Sequence, residues 1–407
     1  MAQFSIALSG LTAASADLDV TANNVANANT IGFKDSRAEF ADVYSAGATN
    51  LNTSVVGQGV RLTTTAQQFT QGNISSSSSN LDLAISGDGF FTLHGKNGYV
   101  YSRNGQFAED KVGNVVSATG QALQVYPPLV NGGFNTGTLT NLNLQSAQSA
   151  PLATTSGTVI LNLPANSAVP AVTPFDPTNS QTYSQSTSTS VYDSLGNQYP
   201  ATFFFSQTAT PNTWNVNMTV NGTQVGGAQT LAFSSTGAVT APVGGALPFN
   251  GFAPPGGANP MNLNFNFGAT TQYGANFGVT SIVQNGYTTG QLSTVAIDTA
   301  GVVSAVYTNG RSTQLGQIAM ANFPNPQGLK QLGDTNWSET FSSGTVVSGT
   351  AASAGFGTLQ SGALESSNVD LTTQLVNMIT AQRAFQANAQ VITTANQESQ
   401  TIINIGH

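Results

Sequence analysis

Residues 369–405 read VDLTTQLVNMITAQRAFQANAQVITTANQESQTIINI, and this stretch carries the strongest periodic signal in the chain. Side chains suited to a buried seam recur at alternating intervals of four and three, the spacing of a heptad repeat on an α-helix. The spacing predicts a helix over about 369–404, roughly 55 Å long at 1.5 Å per residue. Ser367 or Asn368 is the predicted N-cap, with Asp370 in the first turn. The predicted seam is Leu371, Leu375, Met378, Gln382, Phe385, Ala389, Ile392, Asn396, Ser399 and Ile403.

The first 30 residues repeat the same spacing at Phe4, Leu8, Leu11, Ser15, Leu18, Ala22 and Val25. This N-terminal helix contains Gly10 and many Ser, Thr and Asn residues, which are weaker helix formers than Ala. Because isolated helices are marginally stable even with good sequences, an apolar seam on such a helix needs a partner. Two alternatives stay open at this point: the two ends pair within one chain, or they assemble between copies of the chain.

The middle of the chain has the alternation of β-strands. In 214–220 apolar residues alternate with polar ones, and Asn221-Gly222 then supplies a hairpin turn. The pattern Asp-x-x-Gly begins at Asp110, Asp193 and Asp298, where Asp can brace a turn and Gly tolerates a positive φ. Proline and glycine cluster at 242–260, which predicts a long irregular loop.

Composition excludes several classes of function. The chain has 407 residues, of which 9 are Lys or Arg and 17 are Asp or Glu, so the net charge is −8 and the charged fraction 6%; an ordinary soluble domain has roughly 25%. Between Lys111 and Asp298 only Asp176 and Asp193 are charged. The shortage of basic residues argues against nucleic-acid binding, because neutralising phosphates requires Lys or Arg. It argues equally against docking on an anionic membrane.

Cysteine is absent and the histidines are His94 and His407. Disulfides, thiolate metal sites and cysteine nucleophiles are therefore excluded, and a zinc site of several histidines is not expected. No run of about 20 apolar residues is present, so no insertion into a membrane is expected. The start of the chain, MAQFSIALSGL, has no basic region before an apolar core, so we expect no cleaved signal peptide.

No group of residues predicts catalysis. His94 has no acid or base close to it in sequence. Glu109 and Asp110 are adjacent, so in a strand they would point to opposite faces and could not share a reacting group. The stretch from Gly89 to Lys96 has five residues between its glycines, whereas a phosphate-binding loop has four. We predict no catalytic, cofactor-binding or metal-binding residues, and no enzymatic activity.

Three stretches carry a more specific signal. Ser9-Gly10-Leu11 is followed by NNVANANTIGFKDSRAEFADV at 23–43. LDLAISGDGFFTL at 81–93 is followed by YSRNGQFAEDKVGNVV at 101–116, and GALESSNVDLTTQLVNMITAQRAFQAN lies at 362–388. In this order they closely resemble the axial proteins of the bacterial flagellum, the rod and hook family. The residues that match the family motif are Asn23, Asn24, Asn27, Asn29, Gly32, Phe33 and Lys34.

Within that family, VYDSLGN at 191–197 and the strand-rich insert around it resemble the hook members. The resemblance implies an α+β fold, in which terminal helices form an inner coiled-coil layer and discontinuous chain segments form mostly β outer domains. The expected division is a terminal helical polymerisation domain at 1–30 and 369–407, a connecting segment at 31–72 and 357–368, an inner β domain at 73–147 and 287–356, and an outer β domain at 148–286. Phe385 departs from the family, where many relatives carry Tyr.

The implied function is that of a structural subunit of the hook, a hollow, bendable tube that assembles from many copies and transmits torque from rod to filament. Its implied partners are other copies of the chain, the rod, hook-cap and hook–filament junction proteins, and the flagellar export apparatus. The implied location is outside the cell, after export without a cleaved signal peptide. The expected polymerisation interface is Phe4, Leu8, Leu11, Leu18, Val25, Leu371, Leu375, Met378, Gln382, Phe385, Ile392 and Ile403. A distal-rod-type axial protein and a secreted β-rich adhesin or fibre protein are the alternatives.

Overall fold

The computed structural model describes residues 2–43, 57–144 and 148–405. Helix α1 spans Ala2–Ala26 and helix α2 spans Leu371–Ile405. Nearly all regular structure described between them is β-strand. Terminal helices with a mostly β body confirm the predicted α+β class. Neither helix is long and apolar enough to cross a membrane, a finding that covers the described residues.

Helix α2 begins two residues later than predicted, and its 35 residues measure about 52 Å. Its N-cap is Asp370, because the backbone N–H of Thr373 donates to Asp370 Oδ1 at 2.9 Å. A side-chain oxygen that accepts from the third helical residue is the usual capping bond, and a carboxylate also suits the positive end of the helix dipole. The prediction of Ser367 or Asn368 was wrong: several residues in Ser-Ser-Asn-Val-Asp could cap, and Asn368 is used elsewhere.

The chain folds into two compact units. The first unit consists of residues 1–146, 294–305 and 312–407, and the second unit of residues 147–293 and 306–311. Two of the four passages of the chain between the units fall within the strands Gly290–Ile297 and Val302–Tyr307. Each unit is therefore assembled from segments that are far apart in sequence.

In the first unit, strands from the two halves of the chain pair directly. Thr358–Ser361 is antiparallel to Leu83–Ser86, and Ala363–Glu365 is antiparallel to Ile74–Ser76. A separate two-stranded ribbon joins Ser36–Asp42 to Val60–Gln67. The other strands of this unit are Phe90–Gly95, Gly98–Ser102, Phe107–Glu109, Val115–Ser117, Ala122–Tyr126, Thr140–Asn141, Ser312–Asn322, Lys330–Gly333, Asn336–Ser338 and Val347–Thr350.

The second unit packs two five-stranded sheets around one core. The first sheet is antiparallel and comprises Gln185–Tyr192, Gln198–Gln207, Thr213–Val220, Thr223–Phe233 and Val239–Ala241. The second comprises Ala246–Phe252, Met261–Asn266, Ser156–Pro164, Thr271–Tyr273 and Gly278–Gln284. A short strand, Gln148–Ser149, pairs with the start of Gly290–Ile297. Aromatic side chains from both sheets, such as Phe203, Trp214 and Phe265, are fully buried in the shared core.

The predicted turns are confirmed. Asn221 and Gly222 have φ of 52° and 78°, the pair of positive values that a tight hairpin needs. In each Asp-x-x-Gly turn the Asp Oδ1 accepts two backbone N–H groups: Asp110 from Val112 and Asn114, Asp193 from Leu195 and Asn197, and Asp298 from Ala300 and Val302. The glycine that follows has a positive φ in all three turns.

The predicted loop at 242–260 was partly wrong, because residues 246–252 form a strand of the second sheet. Leu247, Phe249 and Phe252 are buried on its inner side. Between Asn250 and Phe252 the strand register shifts, and Gly251 has a φ of 99°. The bulge breaks the alternation of apolar and polar residues, which is the sequence signal that identifies a strand.

Candidate assembly interface and the connector that positions it

The two terminal helices pack against each other as an antiparallel pair. Asn24, near the end of α1, hydrogen-bonds Gln374 near the start of α2. At the other end of the pair, a Cβ on Gly10 would lie 2.7 to 3.0 Å from the side-chain atoms of Asn388. Glycine at position 10 therefore allows a close approach of the two helices. Of the two alternatives left open by the sequence, the pairing of both ends within one chain is present.

Small and polar residues make this contact. The fully covered positions of α1 are Ala7, Ala14, Thr21 and Asn24, and those of α2 are Gln374 and Ala381. Met378, Phe385 and Ile392 of the predicted seam are half-buried, and they continue the four-three spacing of Gln374 and Ala381. The face of α1 that contacts α2 is thus largely distinct from the seam that we predicted on it.

None of the described large apolar residues of the predicted interface is fully buried, and Phe4, Leu8, Leu371 and Leu375 are exposed. Leu11, Leu18 and Val25 are half-buried, and Gln382 is exposed. The side chain of Ile403 lies outside the described residues. Large apolar side chains 42–58% exposed on the two helices are Phe4, Leu8, Leu371, Leu375, Val376, Ile379 and Val391. Monomeric proteins rarely expose many such residues together, so these helices present surfaces suited to a protein partner.

An apolar groove of about 730 Å³ lies between the helices, close to the N-terminal end of α1. Its lining is Ile6, Ala7, Ala387, Asn388, Gln390, Val391, Thr394, Ala395 and Glu398. Exposed Phe4 is on the same segment of α1. Side chains of a neighbouring molecule could fill this groove without any rearrangement of the helix pair.

The segment that follows α1, residues 31–43 and 57–72 and here called the connector, is held to α1 by Asn24. This side chain is 1% exposed. Its Nδ2 donates to the carbonyl of Ser36 at 2.7 Å, and its Oδ1 accepts the N–H of Ser36 at 2.9 Å. Because the same Nδ2 also reaches Gln374, one amide joins α1, the connector and α2.

The rest of the predicted family motif builds the turn between α1 and the connector. Asn27 Nδ2 donates to the carbonyl of Asn23, and Asn27 Oδ1 accepts the hydroxyl of Thr30. Gly32 has a φ of 70°, and a Cβ there would lie 2.5 Å from the backbone nitrogen of Asn104. Phe33 is buried, whereas Asn23 and Asn29 are exposed.

Three charged side chains meet in the interior of the first unit. Lys34 Nζ lies 2.6 Å from Glu365 Oε1, and both side chains are fully buried. Arg103 Nη1 lies 3.2 Å from Glu365 Oε2. Glu365 Oε1 also accepts the N–H of Gly72, and Lys34 donates to the carbonyl of Thr70. A single carboxylate thus holds two cations that come from distant parts of the chain.

Burial dominates the electrostatics of this cluster. Burial lowers the pKa of Lys34, and the negative charge of Glu365 partly opposes that shift. The pKa of Arg103 is lowered for the same reason, again against the attraction of Glu365. Arg103 also donates to the carbonyl of Gly87 and lies 5.5 Å from the centre of the Phe90 ring. Removing the carboxylate would leave two buried cations uncompensated.

Polar and aromatic contacts attach the connector strand to the β structure of the same unit. Trp337 Nε1 donates to Gln67 Oε1 at 2.6 Å, and the Phe69 ring lies 5.6 Å from that of Phe90. Asn368, the residue predicted as a cap, accepts the N–H of Asp35 and donates to the carbonyl of Gln68. These bonds attach the connector to Asn368, just before α2, and to Trp337.

Sequence reasoning missed Arg103, Glu365 and Asn368 as positioning residues. Each lies within one of the three stretches quoted for the family resemblance. With only 26 charged residues in 407, a charge inside such a stretch was a signal that could have drawn attention to the first two. In the described ranges no three His, Cys, Asp or Glu residues are grouped as a metal site would require. His94 is exposed, and its ring meets that of Tyr99 edge to face, with 5.1 Å between the ring centres.

Models of known families match most of the chain. Residues 4–34 match "Flagella basal body rod protein", and residues 84–167 match "Flagellar hook protein FlgE/F/G D1 domain". Residues 162–287 match "Flagellar basal body protein FlaE D2 domain", and residues 360–405 match "Flagellar basal body rod FlgEFG protein C-terminal".

Full-length relatives give the same result. The chain is 40% identical to the flagellar hook protein FlgE of Escherichia coli over 99% of both chains. It is 32% identical to FlgE of Borreliella burgdorferi over 98% of both chains. Among solved structures it is similar to the flagellar hook protein FlgE2 of Helicobacter pylori, with a TM-score of 0.52 at 14% identity, covering 72% of this chain and 100% of that chain. At that identity the likeness concerns the fold.

Proposed function

This chain belongs to the flagellar hook protein family, and on that premise we propose that its two terminal helices form the interface between copies in the hook. A hook protein is the structural subunit of an extracellular homopolymer. The proposal rests on the observation that each helix has two different faces. Small and polar residues pair α1 with α2, while large apolar residues stay exposed on other faces.

The exposed residues are sufficient in number to drive association. Burying a whole Leu, Ile or Phe side chain contributes about 1.5–3 kcal/mol. Because Phe4, Leu8, Leu375 and Ile379 are each about half exposed, covering one adds roughly 1 kcal/mol. Seven such residues and several neighbouring contacts per subunit are comparable with the cost of association, about 4–15 kcal/mol.

Phe385 and Met378 belong to both surfaces, since they are half-buried beside α1 and flank exposed positions of α2. We keep the predicted interface as a proposal and add Val376, Ile379 and Val391 to it. Gln382, an exposed member of the predicted seam, would select the register between copies at some cost in stability. The four-part division of the chain, with its polymerisation domain at 1–30 and 369–407, likewise stays a prediction.

Leu375→Asp tests the interface. Leu375 is 50% exposed, so the charge can be accommodated in the monomer, but it would be buried against a neighbour. Purified variant should keep the fold of both units and fail to extend tubes observed by electron microscopy. The matched control is Leu195→Asp, at a 57% exposed leucine in the second unit, which should extend tubes. Normal growth of tubes by Leu375→Asp would overturn the proposal.

The bending of the tube is the second part of the proposal. A hook that bends while it transmits torque needs contacts that re-form as subunits move. Between Lys111 and Asp298 the charged residues are Asp176 and Asp193, so the outer contacts would be neutral amides and hydroxyls. Such groups exchange partners through water at small cost, whereas ion pairs would favour one register.

Partners and export are inferred from the family. The rod, hook-cap and hook–filament junction proteins are the proposed neighbours, and the flagellar export apparatus is the proposed route out of the cell. Cross-linking of intact flagella, with identification of the linked peptides, tests the neighbours. The relatives described above do not support the alternative of an adhesin or fibre protein. They are hook proteins, and they match this chain over nearly their whole length.

A further inference from the structure

The two terminal helices carry very few charges, and a single one is positive. Asp17 and Asp19 lie on α1, and Arg383 and Glu398 lie on α2. Arg383 is exposed and has no ion pair or hydrogen bond among the described residues. An exposed arginine on a surface that is otherwise apolar and neutral is suited to bind a carboxylate of a partner, because its planar guanidinium group binds carboxylates in a defined geometry.

Among the three carboxylates, two lie in other surroundings. Asp17 is half-buried and lines a cavity with Asp35 and Arg37, so it is less open to a neighbouring copy than an exposed carboxylate. Glu398 lines the groove beside Ile6 and Ala7, near the N-terminal end of α1, where the positive end of the helix dipole favours a negative charge.

Asp19 is the carboxylate that remains. It is exposed and has no partner in the part of the chain that the structure describes. Apart from Asp17, the other residues of α1 are uncharged.

Asp19 and Arg383 cannot meet within one chain. At 3.6 residues per turn, Asp19 lies about 160° around α1 from the middle of the buried stripe that includes Ala14. Arg383 lies about 170° around α2 from the stripe that includes Ala381. The antiparallel register, with Gly10 beside Asn388, places the two charges at similar heights on opposite sides of the pair.

Each charge lies on the same outward side of its helix as exposed apolar residues. On α2, Val376, Ile379 and Arg383 follow one another at spacings of three and four, which forms one outward stripe. On α1, Asp19 shares its outward side with Leu8 and with the exposed Ala22. A second copy of the chain that covers the apolar residues therefore also covers the charges.

We propose that Asp19 of one copy pairs with Arg383 of a neighbouring copy and sets the register of the assembled helices. This inference rests on the proposed function, since it requires the terminal helices to contact each other between copies. Apolar contacts are tolerant of sliding, whereas one complementary charge pair among neutral residues favours a single alignment. The pair acts on specificity more than on total affinity.

Reversing each charge singly, and then swapping the two charges in a double variant, tests the pair. Asp19→Arg and Arg383→Glu each place like charges opposite one another, so each should raise the protein concentration needed for tube growth by about tenfold. The double variant D19R/R383E restores opposite charges and should grow near the wild-type concentration. An equal mixture of the two single variants should also grow, because each supplies the charge that the other needs. A pair within one chain could not be restored by mixing.

Salt and a control reversal complete the experiment. In about 1 M salt, where the screening length is about 3 Å, the single variants should approach the wild type. Lys330→Glu, an exposed reversal outside the helices, should leave growth unchanged. Wild-type growth of both single variants, or no recovery in the double variant and the mixture, would overturn the pair. If Leu375→Asp still blocks growth in that case, the helix interface stands and only the ion pair is lost.

Discussion

Lys34 and Glu365 are 331 positions apart in the chain, and their side chains meet with 2.6 Å between Nζ and Oε1 in a site closed to solvent. The pair joins the connector that follows α1 to the strand that precedes α2. Arg103 adds a second cation from the β structure between them. In a chain whose charged fraction is 6%, three charges are committed to this one junction.

Glu365→Gln should destabilise the first unit by about 3–5 kcal/mol, because it leaves Lys34 and Arg103 buried without a counter-charge. Each unit contains one buried tryptophan, Trp337 in the first and Trp214 in the second. Urea unfolding followed in W214F and W337F backgrounds therefore reports the units separately. Only the Trp337 transition should move.

The control for that substitution is Glu39→Gln, which removes the carboxylate of an exposed ion pair with Arg37. Exposed pairs contribute little, so the same chemical change should scarcely shift the Trp337 transition. Equal effects of the two variants would mean that burial of the charge cluster does not matter.

Asn24→Ala should lower the stability of the first unit by about 1–3 kcal/mol, because the N–H and carbonyl of Ser36 lose their partner. The same change should increase hydrogen exchange at the start of the connector, which is measured by mass spectrometry. Asn29→Ala is the matched control, since Asn29 belongs to the same motif but is exposed. A loss of protection in both variants would show that the effect does not come from the bonds between Asn24 and Ser36.

Asp193→Asn should change how the second unit responds to acid. Burial raises the pKa of Asp193, but hydrogen bonds from Asn197, Leu195 and Tyr199 outweigh it and hold the pKa below its usual value. A lowered pKa means that the folded unit favours the ionised form, so this stabilisation is present above about pH 4 and is lost as pH falls below it. The variant should be about 1–3 kcal/mol less stable at pH 7 and should depend less on pH below 4.

The Trp214 transition, recorded from pH 7 to pH 2, measures both effects. Asp298→Asn is the matched control, because Asp298 braces the same type of turn in the first unit but is more accessible to solvent. It should leave the Trp214 transition unchanged at every pH.

Deletion of residues 148–286 tests the role proposed for the outer β domain. The variant should still form tubes if the terminal helices drive assembly, but the curvature and stiffness of the tubes should differ. Cryo-electron microscopy measures the distribution of curvature along the tubes. Unchanged bending would remove the support for neutral sliding contacts.

Local sequence patterns were sufficient to predict those elements whose structure depends on a single segment of the chain. Residues 214–220 and the turn at Asn221-Gly222 follow from alternation and from the positive φ that the turn needs. The three Asp-x-x-Gly turns are local in the same sense. The terminal helices follow from periodicity, although the capping residue could not be chosen among Ser367, Asn368 and Asp370 without the tertiary bonds of Asn368.

Two features could not be predicted for physical reasons. A search for apolar spacing finds large residues such as Leu8, whereas the helices meet through Ala7, Gly10 and Ala14, because small side chains allow the closest approach. The junction of Lys34, Arg103 and Glu365 depends on contacts across most of the chain, and no local pattern specifies which charges will be buried. The strand at 246–252 could not be recognised from the sequence, because its bulge interrupts the alternation of apolar and polar residues.

The second unit has three charged residues, Asp176, Asp193 and Arg311. Screening by dissolved ions changes the forces between such surfaces little, since there is almost no charge to screen. A joint whose moving surfaces are built this way keeps the same mechanical compliance in fresh water and in brine. The bending stiffness of the tube would then stay nearly constant as the salinity around a swimming cell changes.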